Sequence, residues 1–334
     1  MRRGEKQKPK LDINEIRFFS GQSHRQLAQD IADYLGVPLE ATRFAKFSND
    51  NIYTQLGASV RGRSVFIVQS LTPPVSDHLI ELFMMLDIAR GAGAKERHAI
   101  IPYFSYARSD KKDAPRISIT ARLIADLLVA AGATHVMTMN LHSPQVHGFF
   151  SVPTDPLTAR GLFIAHFQPR GYRPDETIVV APDMGRAKSA ARFAAHLGLP
   201  IAAADKTRIS DRQVIIGGQV IRQVQGFSRA IIYDDEIATG STVLALCESL
   251  ITCGVQEIFL VCTHGLFTNH ALARLSAIPQ VQEIVATDTV PIPMESRPPH
   301  LTVLSVAPII GEAIWRNFTH QSIGSLFSFS DEPS

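Results

Sequence analysis

The sequence of 334 residues has few cysteines, no excess of one charge and no long apolar segment. Cys247, Cys253 and Cys262 form no closely spaced pair, so we expect buried free thiols in a reducing cytoplasm rather than disulfides or a zinc site. The formal net charge of +2 argues against a dedicated nucleic-acid-binding protein. No apolar run approaches the roughly 18 residues of a membrane span, and none follows the basic N-terminus. We therefore expect neither a membrane helix nor a signal peptide.

What the sequence does contain is a regular alternation of apolar and amphipathic stretches. Short β-rich apolar runs predict buried strands at 65–68, 99–102, 136–139, 177–181, 230–233, 258–262 and 301–304. Helical patterns lie at 24–35, 76–91, 119–131, 185–197, 242–253 and 308–317. This alternation predicts an α/β fold with parallel sheets and right-handed crossovers.

The length of the chain and a weak internal similarity indicate two domains. Residues 64–103 and 229–264 both read as strand, loop, helix, glycine turn and strand. The stretch 152–156 (VPTDP) carries two prolines and is typical of a boundary. We expect a disordered tail over 1–11, an N-terminal domain over 12–156 and a C-terminal domain over 157–330.

An acidic pair followed by a loop of small residues gives the sharpest local signal. In IIYDDEIATGST, residues 231–242, an apolar strand leads to Asp234 and Asp235, and a helix begins after the loop. Backbone N–H groups and hydroxyls of such a loop, backed by a helix N-terminus, form an anion cradle that suits a phosphate monoester. The carboxylates can accept hydrogen bonds from sugar hydroxyls or hold a cation through water. An ordinary strand–turn–helix with solvated acids is the alternative interpretation.

This segment resembles the phosphoribosyl-diphosphate loop shared by type I phosphoribosyltransferases and ribose-phosphate pyrophosphokinases. Further stretches resemble the pyrophosphokinases alone and keep that family's order along nearly the whole chain. They are KFSNDNIYTQLGASVRGRSVFIVQS (46–70), PYFSYARSDKK (102–112), MNLHSPQVHGFF (139–150), APDMGRAKSA (181–190), DKTR (205–208), SVAPIIGEAI (305–314) and SIGSLF (322–327).

The resemblance implies two tandem phosphoribosyltransferase-type (type I) domains, each a mainly parallel sheet flanked by helices. It implies transfer of the diphosphoryl group of ATP to the 1-hydroxyl of ribose 5-phosphate, giving 5-phosphoribosyl 1-diphosphate and AMP, with Mg²⁺. The N-terminal domain would hold ATP and the C-terminal domain ribose 5-phosphate. A cytoplasmic homo-oligomer with a site shared between subunits is also implied, with no nucleic acid or membrane as partner.

The same resemblance implies roles for individual residues. ATP contacts are implied for Phe47, Asn49, Asn51, Arg108, Asp110 and His142. Ribose 5-phosphate contacts are implied for Asp234, Asp235, Ala238, Thr239, Gly240, Ser241 and Thr242. Metal roles are implied for His142 and Asp183, and catalytic roles for Lys206, Arg208 and His142. Taken without the resemblance, His142 is typical of a packed strand-end residue, and Lys206 and Arg208 of a solvated basic turn.

Several positions depart from the family's usual pattern. Asn51 replaces a usual Glu, Ser109 a usual Gln, and Arg186 a usual Gly, which adds a cation near the phosphates. The usual D-T-A-G-T loop reads ATGST over 238–242, which removes a carboxylate and shifts the glycine.

These departures leave two alternatives open. One is a phosphoribosyltransferase, which needs the diphosphate loop but no ATP pocket. The other is a catalytically weak or silent regulator associated with the synthetases. Pro144 and His147 stand where phosphate-activated members carry polar regulatory residues, so regulation by phosphate and ADP is not implied.

Overall fold

The computed structural model describes residues 11–12, 14–204, 206–210, 213–216 and 218–327, with the backbone alone at 206–210, 213–216, 218, 219 and 221. Residues 1–10 of the expected tail lie outside the described residues, as do Asp205 and residues 328–330 of the expected C-terminal domain. Leu11 was expected in the tail, but it is 7% exposed and therefore buried.

Strands and helices alternate along the described chain. The strands are β1 (Ile16–Ser20), β2 (Thr42–Lys46), β3 (Ile52–Leu56), β4 (Ser64–Val68), β5 (Glu96–Ile101), β6 (His135–Met139), β7 (Thr154–Leu157), β8 (Thr177–Ala181), β9 (Ile201–Ala203), β10 (Lys206–Ser210), β11 (Gln213–Ile216), β12 (Arg229–Ile237), β13 (Glu257–Gly265), β14 (Val281–Thr287) and β15 (Leu301–Leu304). The helices are α1 (Arg25–Leu35), α2 (Val75–Gly91), α3 (Thr120–Ala131), α4 (Arg160–Phe167), α5 (Ala187–Leu197), α6 (Gly218–Val224), α7 (Ser241–Thr252), α8 (Ala271–Ser276) and α9 (Ala307–Phe318).

The first compact unit runs to Leu157 and also includes Ala307–Gly324. Its main sheet has the order β1-β4-β5-β6-β7, and every neighbouring pair is parallel. All residues of β4 and β6 are buried, as expected for strands covered on both faces. Helix α9 packs on α1, where the Tyr34 hydroxyl donates a hydrogen bond of 3.0 Å to Glu312. The expected N-terminal domain did not include this last helix.

The second compact unit comprises Thr158–Val306 and the described residues from Ser325 onward. Its sheet has the order β15-β14-β13-β12-β8-β9, again with parallel neighbours. The chain continues from β8 to β9 on one side and from β12 to β13 on the other, so the strand order reverses between β8 and β12. Open α/β sheets bind ligands beyond the carboxyl ends of the strands at such a switch point. Two α/β units with parallel main sheets confirm the expected fold class.

The two segments of similar sequence form matching structures. Strands β4 and β5 flank α2 and pair in parallel, and β12 and β13 flank α7 in the same way. The proline-bearing stretch 152–156 was expected to be a boundary, yet it contains most of β7, whose residues are all buried. Proline is tolerated there because β7 is an edge strand. The boundary between the two compact units lies directly after β7, between Leu157 and Thr158.

The remaining sequence-based expectations concern membranes and cysteines. Within the described ranges, no helix is long and apolar enough to cross a membrane. The three cysteines are free thiols; Cys247 and Cys262 are buried as expected, and Cys253 is only half-buried.

Candidate active site

The switch point of the second unit brings two acidic segments together. Asp183 follows the end of β8, and β8 pairs with β12 so that Val180 lies opposite Ile232. The sequence suggested that Asp234 and Asp235 follow the strand. Strand β12 instead runs on to Ile237, so both residues lie inside it.

Arg186 joins these two segments. Its Nη1 atom lies 3.2 Å from Oδ2 of Asp235, and both side chains are largely buried. The sequence indicated a cation near the phosphates, and the structure shows the carboxylate with which that cation pairs.

Asp183 shapes the turn that carries Arg186. Its Oδ1 accepts a hydrogen bond of 3.1 Å from the Arg186 N–H, and its carbonyl oxygen accepts from the same N–H at 3.1 Å. Mg²⁺ usually keeps several waters and binds one or two carboxylates together with substrate phosphates. The half-buried Asp183 carboxylate fits that requirement, although no cluster of three or more His, Cys, Asp or Glu side chains in the described part of the chain forms a cation site by itself.

The adjacent acids Asp234 and Asp235 differ in electrostatic environment. Oδ1 of Asp234 accepts a hydrogen bond of 2.8 Å from the Asp235 N–H. Withdrawal of the Asp234 carboxyl from water, reinforced by the negative charge of Asp235, raises the pKa of Asp234 well above its ordinary value. Asp235 is paired with Arg186. The oxygens of both carboxyl groups can accept hydrogen bonds from sugar hydroxyls.

The loop after β12 is built around Gly240. This residue caps α7 with φ 72° and ψ 0°, a left-handed conformation that favours glycine. A Cβ added at Gly240 would lie 3.2 Å from the Cβ of Ala271, so the loop also packs closely against α8. Thr239 Oγ1 and Ser241 Oγ lie 3.2 Å apart on the loop.

The loop presents polar groups at the N-terminus of α7. Thr239 is exposed, whereas Ala238, Ser241 and Thr242 are half-buried. The first N–H groups of a helix lack intrahelical partners and carry partial positive charge. Together with the hydroxyls of the loop they form a cradle that suits a phosphate monoester.

Sequence reasoning missed one support of this loop. Nη2 of Arg274, in α8, donates a hydrogen bond to the carbonyl oxygen of Thr239. Arg274 lies more than thirty residues away in the sequence, outside any motif, so no local signal could have identified it.

In the first unit, Arg108 and His142 follow neighbouring parallel strands. Arg108 ends a 3₁₀ turn after β5 and is exposed, and His142 follows β6 and is half-buried. Because the carboxyl ends of parallel strands meet at one edge of a sheet, both residues belong to the same edge. Asp110 is half-buried in the loop beyond Arg108.

Ser109, one of the departures from the family pattern, has a local structural function. Its Oγ accepts a hydrogen bond from the Thr120 N–H at 3.2 Å and donates one to the Ser118 carbonyl at 3.2 Å. Its carbonyl accepts from the Ala121 N–H at 3.1 Å. Ser109 therefore ties the end of the Arg108 turn to the start of α3.

Phe47, Asn49 and Asn51 lie at the tip of the β2–β3 hairpin. The Phe47 N–H donates to the Asn51 carbonyl at 2.9 Å, and Asn49 Oδ1 accepts from the Asn51 N–H at 3.3 Å. The Phe47 ring is 55% exposed. An exposed aromatic ring beside amide groups is suited to contact a flat base.

Lys206 and Arg208 lie two residues apart on β10. Strand β10 pairs antiparallel with β11, with Lys206 opposite Ile216 and Arg208 opposite Val214. Their side chains lie outside the described atoms, so their catalytic roles stay predictions.

Two family models match the chain. One describes the N-terminal domain of ribose phosphate pyrophosphokinase and matches residues 16–132. The other describes the phosphoribosyl synthetase-associated domain and matches residues 214–328.

Individual relatives agree with these matches. A Streptomyces coelicolor protein is 51% identical, and its name assigns it provisionally to the ribose-phosphate pyrophosphokinases. The aligned region covers 94% of this chain and 98% of that protein. The ribose-phosphate pyrophosphokinase of Deinococcus radiodurans is 43% identical, and the aligned region covers 93% of this chain and 97% of that protein. The crystal structure of phosphoribosylpyrophosphate synthetase from Mycobacterium smegmatis superposes with a TM-score of 0.84 at 35% identity, covering 92% of this chain and 99% of that one. Identity of this extent along nearly the full length shows that the chain belongs to the ribose-phosphate pyrophosphokinase family.

Proposed function

We propose that this chain transfers the diphosphoryl group of ATP to the 1-hydroxyl of ribose 5-phosphate, giving 5-phosphoribosyl 1-diphosphate and AMP. The observation that carries the proposal is the site between β8 and β12, in which a phosphate cradle and paired acids meet at the switch point of a chain of this family. A phosphoribosyltransferase and a silent regulator are the alternatives that the test must separate.

The C-terminal domain, residues 157–330, is the proposed ribose 5-phosphate side. The loop of Ala238, Thr239, Gly240, Ser241 and Thr242 holds the 5-phosphate. Asp234 and Asp235 hold the ribose hydroxyls. Support comes from the helix N-terminus at Ser241 and from the acid pair, whose oxygens can accept hydrogen bonds from sugar hydroxyls.

The N-terminal domain, residues 12–156, is the proposed ATP side. Arg108, Asp110 and His142 contact the nucleotide from the carboxyl edge of the first sheet, and the hairpin tip with Phe47, Asn49 and Asn51 contacts the base. The exposure of Phe47 is consistent with a hairpin that reaches a neighbouring subunit's site, so we propose a homo-oligomer with a shared site.

Mg²⁺ is the proposed cofactor. Asp183 would act as a ligand, and His142 would be linked to the metal. When bound, Mg²⁺ supplies positive charge that offsets the phosphates. We place the reaction in the cytoplasm.

The proposed reaction is an in-line displacement. The oxygen of the ribose 1-hydroxyl forms a bond to the β-phosphorus of ATP and loses its proton, and the bond from that phosphorus to the oxygen bridging the α-phosphorus breaks. AMP leaves with that oxygen. Lys206 and Arg208 would neutralise charge on the moving group, because phosphoryl transfer depends mainly on positioning and electrostatic stabilisation.

The test is AMP formation from Mg–ATP by the purified chain, with and without ribose 5-phosphate. The proposal predicts AMP only when the sugar phosphate is present. Binding of ribose 5-phosphate without any AMP would favour the regulator. A base-dependent release of diphosphate from phosphoribosyl diphosphate would favour the phosphoribosyltransferase.

A further inference from the structure

Arg186 brings a resident cation into the acidic switch point of the second unit. Its side chain is 14% exposed, and that of Asp235, whose Oδ2 lies 3.2 Å from Arg186 Nη1, is 7% exposed. Salt and water screen such a pair much less than a pair on the surface. Removing Arg186 would take away a charge partner of a largely buried carboxylate.

The backbone fixes Arg186 at the junction of two strands. Asp183 accepts the Arg186 N–H through both its side chain and its carbonyl, and α5 begins at the next residue. Asp235 lies within β12, which is paired with β13 on one side and with β8 on the other. The guanidinium therefore links the turn after β8 to the acidic end of β12.

This link changes the charge balance of the site. Asp234, Asp235 and Glu236 are successive residues of β12, and Asp183 follows the neighbouring strand. A sugar phosphate adds negative charge to the same region. Carboxylates that no cation offsets would repel such an anion. Arg186 already neutralises one of them.

We propose that Arg186 is a positioning residue that orients Asp235 for the sugar and makes ribose 5-phosphate binding independent of a divalent cation. The inference rests on the function proposed above. A planar guanidinium matches the geometry of a carboxylate, which a lysine ammonium does not, so the orientation depends on arginine itself as well as on its charge.

Titration calorimetry of the full chain with ribose 5-phosphate, without nucleotide, tests this role. For the wild type, Kd should change less than about twofold between EDTA and excess Mg²⁺. Arg186→Gln should weaken binding at least about tenfold in EDTA, the size expected when one partner of a buried charge pair is removed, and Mg²⁺ should restore part of it. Arg186→Lys keeps the charge, so its Kd in EDTA should lie between those of the wild type and Arg186→Gln. This variant also shows whether loss of folding explains the weaker binding by Arg186→Gln.

Arg222→Gln is the matched control. Arg222 is exposed on α6, and this variant loses the same charge as Arg186→Gln. The Kd of Arg222→Gln for ribose 5-phosphate should therefore equal that of the wild type. Equal binding by Arg186→Gln and the wild type in EDTA would overturn the inference, as would a wild type that binds only with Mg²⁺. Both results leave the proposed function standing. A wild type that binds no ribose 5-phosphate in either buffer would also overturn the inference, and AMP formation from Mg–ATP then tests the proposed function separately.

Discussion

Nδ1 of His98 lies 2.9 Å from Nδ1 of His135, between the adjacent strands β5 and β6. Only 4% of His98 and 5% of His135 is exposed. One ring donates and the other accepts, because a neutral imidazole carries a single N–H. The outer nitrogens face acids: His135 Nε2 lies 3.0 Å from Asp155, and His98 Nε2 lies 3.5 Å from Glu96.

The histidine pair predicts acid sensitivity in the first unit. Burial, followed by the charge of His135, lowers the pKa of His98 from 6.5 to about 4, although Glu96 opposes the shift. The unfolded chain therefore binds more protons than the folded chain between these values. The contribution of His98 to stability is present well above pH 6.5 and is lost as the pH falls towards 4, by roughly 2 kcal/mol.

Equilibrium denaturation of the wild type and of His98→Asn over this pH range measures that change. The difference in unfolding free energy between the two proteins should shrink on acidification, because the variant has no imidazole to protonate. A difference that stays constant from pH 7 to pH 4.5 would show that His98 accepts its proton as easily in the folded chain as in the unfolded one.

Gly240→Ala should impair sugar-phosphate binding more than stability. The left-handed φ of 72° costs alanine about 1 kcal/mol, and the new Cβ meets Ala271 at 3.2 Å, so the cradle must shift. We expect the KM for ribose 5-phosphate to rise roughly tenfold or more in steady-state assays, about 1.4 kcal/mol of lost binding.

Gly254→Ala provides a control at the other end of α7. Gly254 has φ 93°, and an added Cβ there meets nothing within 4 Å. It should therefore lose similar stability with an unchanged KM for ribose 5-phosphate. Equal KM values for the two alanine variants would argue against the cradle.

Phe47→Ala should weaken ATP use without destabilising the fold. The ring is more than half exposed, so its removal should change the unfolding free energy by less than about 0.5 kcal/mol. Stacking of a base on an aromatic side chain contributes roughly 1–3 kcal/mol, so the KM for ATP should rise by about tenfold. Ile80→Ala, another exposed apolar residue, should leave that KM unchanged. A wild-type KM for ATP in Phe47→Ala would show that the ring does not contact ATP.

Lys206→Ala should reduce kcat by orders of magnitude and leave ribose 5-phosphate binding nearly intact. The reason is that a cation acting on the transferring group stabilises the transition state and not the bound sugar. Single-turnover measurements with saturating substrates separate the two effects, and Thr207→Ala tests whether any change on β10 has the same result. A kcat comparable to that of the wild type would exclude the role.

Much of the fold could be predicted from the sequence because burial on both faces leaves a continuous apolar run. VFIV in β4 and IFLVC in β13 are examples. Strand β7 could not be predicted in this way, since TDPL contains a proline and an aspartate. It is buried because it lies beside β6, where Asp155 faces His135. That neighbourhood is set by tertiary structure and not by local pattern.

The same distinction between local sequence pattern and tertiary structure applies to the candidate site. Asp234, Asp235 and Gly240 could be predicted together because the strand end, the loop and the helix start are contiguous in the sequence. The Arg186–Asp235 pair and the Arg274 bond to Thr239 join residues far apart in the chain. They depend on the pairing of β8 with β12 and on the position of α8, which no short motif records.

The most direct test of the proposed reaction follows the terminal phosphate of ATP. The purified chain is given ATP labelled at the γ-phosphorus, with Mg²⁺ and ribose 5-phosphate, and the sugar products are separated from the nucleotides. The proposed reaction predicts label in 5-phosphoribosyl 1-diphosphate and an equal amount of AMP, because the diphosphoryl group moves intact. Label that remains in ATP, or that appears as inorganic phosphate beside ADP, would contradict it.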